Sequence, residues 1–334
     1  MNPEAQLRKR SLLIAALLLL LIASVLLSMN VGKMPLHPGE VWKVLLGQGT
    51  DRQNLVIFQF RLPRIVLATL VGMGMAISGT VMQGLLRNDL ADPGMLGINA
   101  GSGLMVLLFI TAFGLTGLSS AFLLPLMAFV GGLMAALLIY LLAYRKRSAP
   151  SPTRLVLTGA AINVGLSALT LFLTLKLNDE QYAFAQKWQA GYLWGTEWRY
   201  LALLAPWVLL LFLYIGYKSL VLNALNLGNE LATGIGAHVR KEFLALVIAA
   251  VAIAAGSVAL GGSIFFLGLI SPHVARKLVG PDHKLLLPAS ALIGGLIMLS
   301  ADTIARTVSF GADIPAGIIV TMLSVPYFLY LLMR

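Results

Sequence analysis

The chain has 334 residues, of which 59% are hydrophobic and only 11% charged, with 24 Lys and Arg against 13 Asp and Glu and no cysteine. So few charges cannot clothe a water-soluble fold of this length, so lipid must face most of its surface. The lack of cysteine removes disulfides, thiolate metal sites and cysteine nucleophiles, and a net charge of +11 reflects loop topology in a membrane protein rather than nucleic-acid binding.

Runs free of Asp, Glu, Lys and Arg locate the spans, because a charge at the bilayer centre costs about 2.5–3.5 kcal/mol. The first run, Ser11 to Gly32, follows Arg8, Lys9 and Arg10. It is long for a signal sequence and no Ala-x-Ala site follows promptly, so it reads as a retained span. The second, Ile65 to Leu86, is entered through Arg61-Leu62-Pro63-Arg64, where Pro63 fixes the start of the helix. Its Ala68, Gly72, Ala76, Gly79 and Gln83 recur every three to four residues, a face that another helix can approach closely. Gly94 to Tyr144 is about 75 Å long as helix against a hydrocarbon core of about 30 Å, so it makes two spans with a turn at 114–120. Leu155 to Leu175, which contains Asn163, and Tyr200 to Tyr217 give one span each.

Residues 220–240 mix apolar positions at helical spacing with Gly228, Gly234 and Gly236. They predict one or two short amphipathic helices on the membrane face, suited to grip lipid or a peripheral protein. Phe243 to Ala275, about 50 Å as helix, is too long for one upright span and tight for two; Gly256, Gly261 and Gly262 offer a break. It is either one span with a re-entrant piece or two spans, the second short. Leu285 to Ala301 and Ile314 to Met333 complete the set. With ten spans and an inside N-terminus, 15 of the 24 basic residues lie inside and 9 outside; with one span in the disputed stretch the division is 12 to 12. Loop charge therefore favours an all-α integral membrane fold of ten helices, residues 1–334 forming a single transmembrane domain with both termini cytoplasmic.

No phosphate-binding loop occurs, and residues 228–236 (GNELATGIG) lack the lysine one would need, so the chain should not hydrolyse ATP. His37, His238, His273 and His283 are not at metal-ligand spacing, and no catalytic constellation or bound cofactor is expected. A midplane carboxylate, the mark of an ion-driven pump, is missing. Asp302 sits at a span end one turn before Arg306, where a local ion pair explains it. Gln83 and Asn163 are neutral polar groups within spans, suited to bonds between helices or to a path. Arg61, Arg64 and Arg306 fall on the outer side against the usual charge bias, which points to an acidic docking partner or to lipid phosphates.

Together these segments resemble the permease subunits of ABC importers for iron-siderophore complexes and cobalamin, the type II (FecCD-like) family. The likeness rests on Arg61 to Arg64; Gly79-Thr80-Val81-Met82-Gln83 with Arg87 to Pro93 and Leu96-Gly97; Trp188, Gly191, Gly195 and Trp198; Leu227-Gly228 with Gly234 and Gly236; Gly268 to His273 with Arg276; Asp282-His283; Leu287-Pro288; Asp302 with Arg306; and Ile314-Pro315 with Gly317. Asp89 stands where the family usually has Pro, and Asn229 where an acidic residue is common. The resemblance implies a multi-pass cell-membrane permease that works as a dimer with a second permease subunit, two ATP-binding subunits that use ATP, and an extracytoplasmic substrate-binding protein. It implies binding-protein docking by Arg61, Arg64 and Arg306, and ATPase coupling through Leu227, Gly228, Asn229, Glu230, Gly234 and Gly236, with Ser271, Pro272 and His273 nearby. Gly72, Gly79, Gln83 and Asn163 are the expected packing or path residues. Ferric siderophores are the expected cargo, with cobalamin or haem as alternatives; an ion-gradient-driven secondary transporter is the rival from another class.

Overall fold

The computed structural model describes residues 3–32, 36–114, 118–144, 151–234, 236–308 and 314–333, and these contain helices and turns but no strand. Residues 115–117 of the expected turn, the basic residues Arg145, Lys146 and Arg147, and Arg334 lie outside them. In chain order the helices are α1 (Pro3–Asn30), α2 (Pro38–Leu45), α3 (Asp51–Asn54), α4 (Leu62–Leu86), α5 (Ile98–Phe113), α6 (Leu118–Ala143), α7 (Pro152–Thr174) and α8 (Asp179–Gln189). They continue with α9 (Trp198–Tyr217), α10 (Ser219–Leu227), α11 (Asn229–Gly234), α12 (Val239–Gly261), α13 (Leu267–Val279), α14 (His283–Thr307) and α15 (Ala316–Leu332). A π-helical stretch, Leu55–Arg61, joins α3 to α4, and a single 3-10 turn, Pro93–Leu96, precedes α5.

Among the described residues seven helices are long and apolar enough to cross a membrane: α1, the continuous helix 51–86, α6, α7, α9, α12 and α14. The shorter apolar helices α5 and α15 accompany them, and the 13-residue α13 packs against α4 and α14. The disputed stretch 243–275 resolves into two helices of unequal length. Gly262 (φ +71°) ends α12, and Phe266 (φ +64°) starts α13 from a left-handed conformation that costs a bulky side chain free energy. At about 1.5 Å per residue α13 is roughly 20 Å long, short of a full crossing.

The small-residue face predicted on α4 is where the core is tightest. A Cβ on Gly72 would lie 2.3 Å from the Gly294 carbonyl oxygen of α14, and one on Gly79 only 1.8 Å from that of Gly268 in α13. Pro272 explains the second contact: it has no N–H to give to the Gly268 carbonyl four residues back, so that oxygen is left to face α4. The same device joins α5 to α6, where a Cβ on Gly101 would meet the Gly131 oxygen at 2.4 Å. Buried α4, α12 and α14 form the centre, and α1 and α7 are peripheral.

The polar segment 179–189, between two charge-free runs, is a helix inserted into the bundle. Asn178 caps it, Gln181 Nε2 donates to the Ile110 oxygen near the end of α5, and Trp188 at its far end is buried. The Trp188 carbonyl accepts from Ser263 N–H, the Leu260 carbonyl from Trp194 N–H and the Gly191 carbonyl from Gly317 N–H. The turn after α8 is thus fastened to the α12–α13 break and to the start of α15. Arg10 lies against Gly280, and Lys277 lies over the Tyr327 and Tyr330 rings, so both ends of the chain share one face of the bundle. That face holds the end of α4, the other its start.

Candidate functional sites on the two faces

At the start of α4 three arginines converge from two helices far apart in sequence. Arg64 Nε donates to Asp302 Oδ1 at 2.9 Å and Arg306 Nε to Asp302 Oδ2 at 3.0 Å, so one fully buried carboxylate serves two guanidiniums. Arg306 also donates to Ser28 Oγ at 2.6 Å, and Ser28 bonds Thr303, which ties the end of α1 into the cluster. Arg61, placed by the π-helical turn, is 6% exposed and donates to the Met29 carbonyl. The Arg64 guanidinium lies 5.7 Å from the Tyr192 ring. Arg61, Arg64 and Arg306 thus gather around the start of α4, with Asp302 shared by the last two. The expected Asp302–Arg306 pair is present, and α4 adds Arg64 to it, a partner 238 residues away that spacing could not reveal.

At the other end of α4 a second cluster holds α10 and α11. Arg87 ends α4 in a left-handed conformation (φ +50°) and donates through Nε to the Leu225 carbonyl of α10 at 3.0 Å, and through Nη2 to Asn229 Oδ1. Its positive charge sits where the helix dipole of α10 ends, an attractive arrangement. Asp89 pairs with Arg276 of α13, whose other nitrogen donates to Gln83 Oε1 at 3.3 Å. Asp89 and Asn229, two of the positions that differ from the pattern the sequence resembles, are therefore arginine partners. From the far side Asn223 of α10 donates to Asp282 Oδ1 at 2.8 Å and accepts from the His283 backbone N–H at 3.0 Å. Burial would raise the Asp282 carboxyl, but the bonds from Asn223 and the Lys284 N–H outweigh it and hold it below the usual range. The Lys218–Glu242 pair, 2.8 Å, keeps the Lys218 ammonium above its ordinary pKa.

Between these anchors α10 and α11 present apolar side chains to the outside. Leu227 is 72% and Leu231 61% exposed, with Glu230 beside them. Gly228 (φ +135°) makes the break between the two helices and Gly236 (φ +87°) the turn after them, conformations that disfavour any other residue. Side chains added at Gly228, Gly234 or Gly236 would meet nothing within 4 Å, so the surface around them is open. Ser271 and Pro272 are buried within α13, and only His273 of that trio reaches the surface, its ring edge-on to Tyr327 at 5.8 Å. Gln83 and Asn163 give their amide N–H groups to the Leu269 and Gly94 carbonyls, so each ties its helix to backbone distant in sequence. Among the described residues no group of three His, Cys, Asp or Glu could hold a metal.

The loop joining α4 to α5 carries one ionisable group the sequence did not single out. Asp92 Oδ1 caps the 3-10 turn by accepting from Gly94 N–H at 2.7 Å, but Oδ2 is shielded and has no partner. Burial raises its pKa to about 6 against the opposing effect of that one bond.

The model of the FecCD transport family matches residues 19–334. The iron(3+)-hydroxamate import system permease protein FhuG of Bacillus subtilis is 44% identical over 98% of both chains. The hemin transport system permease protein HmuU of Yersinia pestis is 36% identical over 100% of this chain and 98% of its own. A solved structure described as an inward-facing conformation of a metal-chelate type ABC transporter superposes with a TM-score of 0.83 at 30% identity, covering 97% of this chain and 99% of that one.

Proposed function

Since the chain belongs to the FecCD transport family, we propose that it carries ferric siderophores, ferric hydroxamates first among them, inward across the cell membrane as the permease subunit of an ATP-driven importer. The observation that carries the ATP-driven part is the open apolar surface of α10 and α11, locked by Arg87 to α4 and by Asn223 to the start of α14. A peripheral ATPase that grips Leu227 and Leu231 pulls directly on helices of the core. On this reading the Arg87 face is cytoplasmic, which agrees with the excess of basic residues there.

The arginine cluster Arg61, Arg64 and Arg306 is the docking site for acidic groups of a substrate-binding protein on the other face. Asp302 fixes two of the guanidiniums so that little side-chain entropy is lost on docking. A second permease subunit completes the path. The exposed flank of α7, where Val164 is 72% exposed and a Cβ on Gly165 would meet nothing within 4 Å, suits close approach of such a partner. ATP-driven closure of the ATPases then moves α10 and α11 and switches the path between its two openings. The lack of a sharply polar site in the bundle fits a path that must release what it carries, with selectivity residing in the binding protein.

The test is uptake of radiolabelled ferric hydroxamate by cells that express this chain with its neighbouring ATPase and binding protein. Uptake that persists when ATP is depleted but collapses with an uncoupler would overturn the reading in favour of a secondary transporter. Likeness to the hemin permease makes haem the second cargo to try. Arg306→Glu should weaken docking of the binding protein and flatten its salt dependence, about tenfold in affinity at low salt.

A further inference from the structure

On the flank of the bundle α6, α9 and α12 leave between them a crevice of about 440 Å³. Its walls are almost entirely carbon, from Phe122, Phe129, Leu204, Trp207, Ala259 and Leu260. Side-chain packing holds it open. Trp207 Nε1 donates to the Ala252 carbonyl at 3.0 Å, and its ring stands edge-on to Phe129 at 5.7 Å. Gly256 brings no side chain into the slot, where a Cβ would stand 3.0 Å from the same indole nitrogen.

The mouth differs chemically from the walls. Phe122 and Tyr200 both lie under the Arg199 guanidinium, 5.0 and 4.9 Å from their ring centroids. Arg199 is in turn paired with Glu197 at 2.9 Å, and both charges are exposed. These residues open α9 next to Trp198, which donates to the Phe58 carbonyl, so the mouth lies on the Arg64 side of the bundle. From Tyr200 to Trp207 the slot descends about 10 Å along α9 into the apolar zone.

We propose that this crevice is a phospholipid site: one acyl chain fills the slot, and the headgroup phosphate lies against Arg199 with its amine toward Glu197. Charge at the mouth selects this occupant. An apolar molecule without a headgroup leaves the exposed Arg199–Glu197 pair unused, and water has no polar partners along the walls. A phospholipid of the leaflet on that side meets both ends at once, and its headgroup stands at the level where Arg and aromatic side chains anchor to the interface.

Trp207 makes the proposal measurable. The purified full-length chain in detergent is titrated with phosphatidylethanolamine brominated on its acyl chains, and the quenching due to Trp207 is taken as the difference from Trp207→Phe. The expected result is quenching that saturates at about one lipid per chain, is lost in Ala259→Phe, and needs about tenfold more lipid in Arg199→Gln or when brominated diacylglycerol replaces the phospholipid. Should Ala259→Phe fail to fold, the comparison of phospholipid with diacylglycerol on the unaltered chain decides the matter. Quenching that rises linearly without saturation, or that is equal for the two lipids, overturns the proposal, as does a Trp207 that no lipid reaches because a second protein chain covers it.

Discussion

Asp302→Asn isolates the electrostatics of the arginine cluster, because it keeps the shape of the side chain and one carbonyl oxygen while it removes the charge. The parent carboxylate has no exposure and accepts from Arg64 at 2.9 Å and Arg306 at 3.0 Å. Each pair at such a distance carries about 5–6 kcal/mol of gross attraction at an effective dielectric constant near 20, offset by the desolvation of three groups. Breaking a buried pair costs about 3–5 kcal/mol. Here the guanidiniums retain 18% and 13% exposure and water takes up part of the loss, so about 3 kcal/mol is expected. Denaturant titration of the purified chain gives that number. A double-mutant cycle then checks its origin: Arg306→Gln should be destabilising in the parent but about 1–2 kcal/mol less so, or even stabilising, once Asp302 is neutral, because it then relieves repulsion among Arg61, Arg64 and Arg306. If Asp302→Asn changes stability by less than about 0.5 kcal/mol, or if Arg306→Gln costs the same in both backgrounds, the carboxylate does not organise this cluster.

Gly79→Ala drives a methyl group to 1.8 Å from the Gly268 oxygen, so α4 and α13 must part; a loss of about 1–3 kcal/mol and of uptake is expected, while Gly39→Ala in α2, open to its surroundings, should change neither, as thermal unfolding and transport assays will show. Arg87→Gln removes the donor to Leu225 and loosens α10 from α4. ATP hydrolysis by the assembled complex should then outrun uptake several-fold, and a ratio equal to the parent's would contradict the role given to Arg87. Asp92 has a folded pKa near 6 against an ordinary 3.8, so the folded state holds the proton more tightly and stability falls as pH rises from about 4 to 6, then levels off. Asp92→Asn, which mimics the protonated form and can still cap the turn, should be more stable than the parent at pH 8 by up to about 3 kcal/mol and equal to it at pH 4; equal stability at both would show that the carboxyl is hydrated.

Much of this architecture is legible in the chain because lipid makes charge expensive. Runs without charge correspond to α1, α4 through α7, α9, α14 and α15, and the length of the 243–275 run together with Gly262 anticipates the unequal pair α12 and α13. The small-residue spacing on α4 anticipates close contacts, but their partners Gly294 and Gly268 lie some 200 residues on and no local pattern names them. The inserted helix α8 escapes because its sequence is polar and short, and burial of Trp188 depends on α5 and α12 closing around it. In the charged clusters only Asp302–Arg306 is local. Arg87 with Asn229, Arg276 with Asp89 and Asn223 with Asp282 are set by the fold, and individually each of these residues looks like an ordinary loop polar group.

The brevity of α13 has a mechanical meaning. Both of its ends are fastened, one to the turn after α8 through Ser263 and Trp188, the other through Arg276 and Asp89 to the loop that carries Arg87. A rod about 20 Å long, pinned at both ends and pressed on α4 at a glycine, can tilt or slide but cannot twist without breaking a pin. On the proposed reading, displacement of α10 and α11 would reach the turn around Gly191 as rigid motion rather than be absorbed as bending. A single residue inserted within α13 should rotate its far end by about 100° and swing Arg276 away from Asp89, cutting the link while the arginine cluster at the start of α4 keeps its contacts.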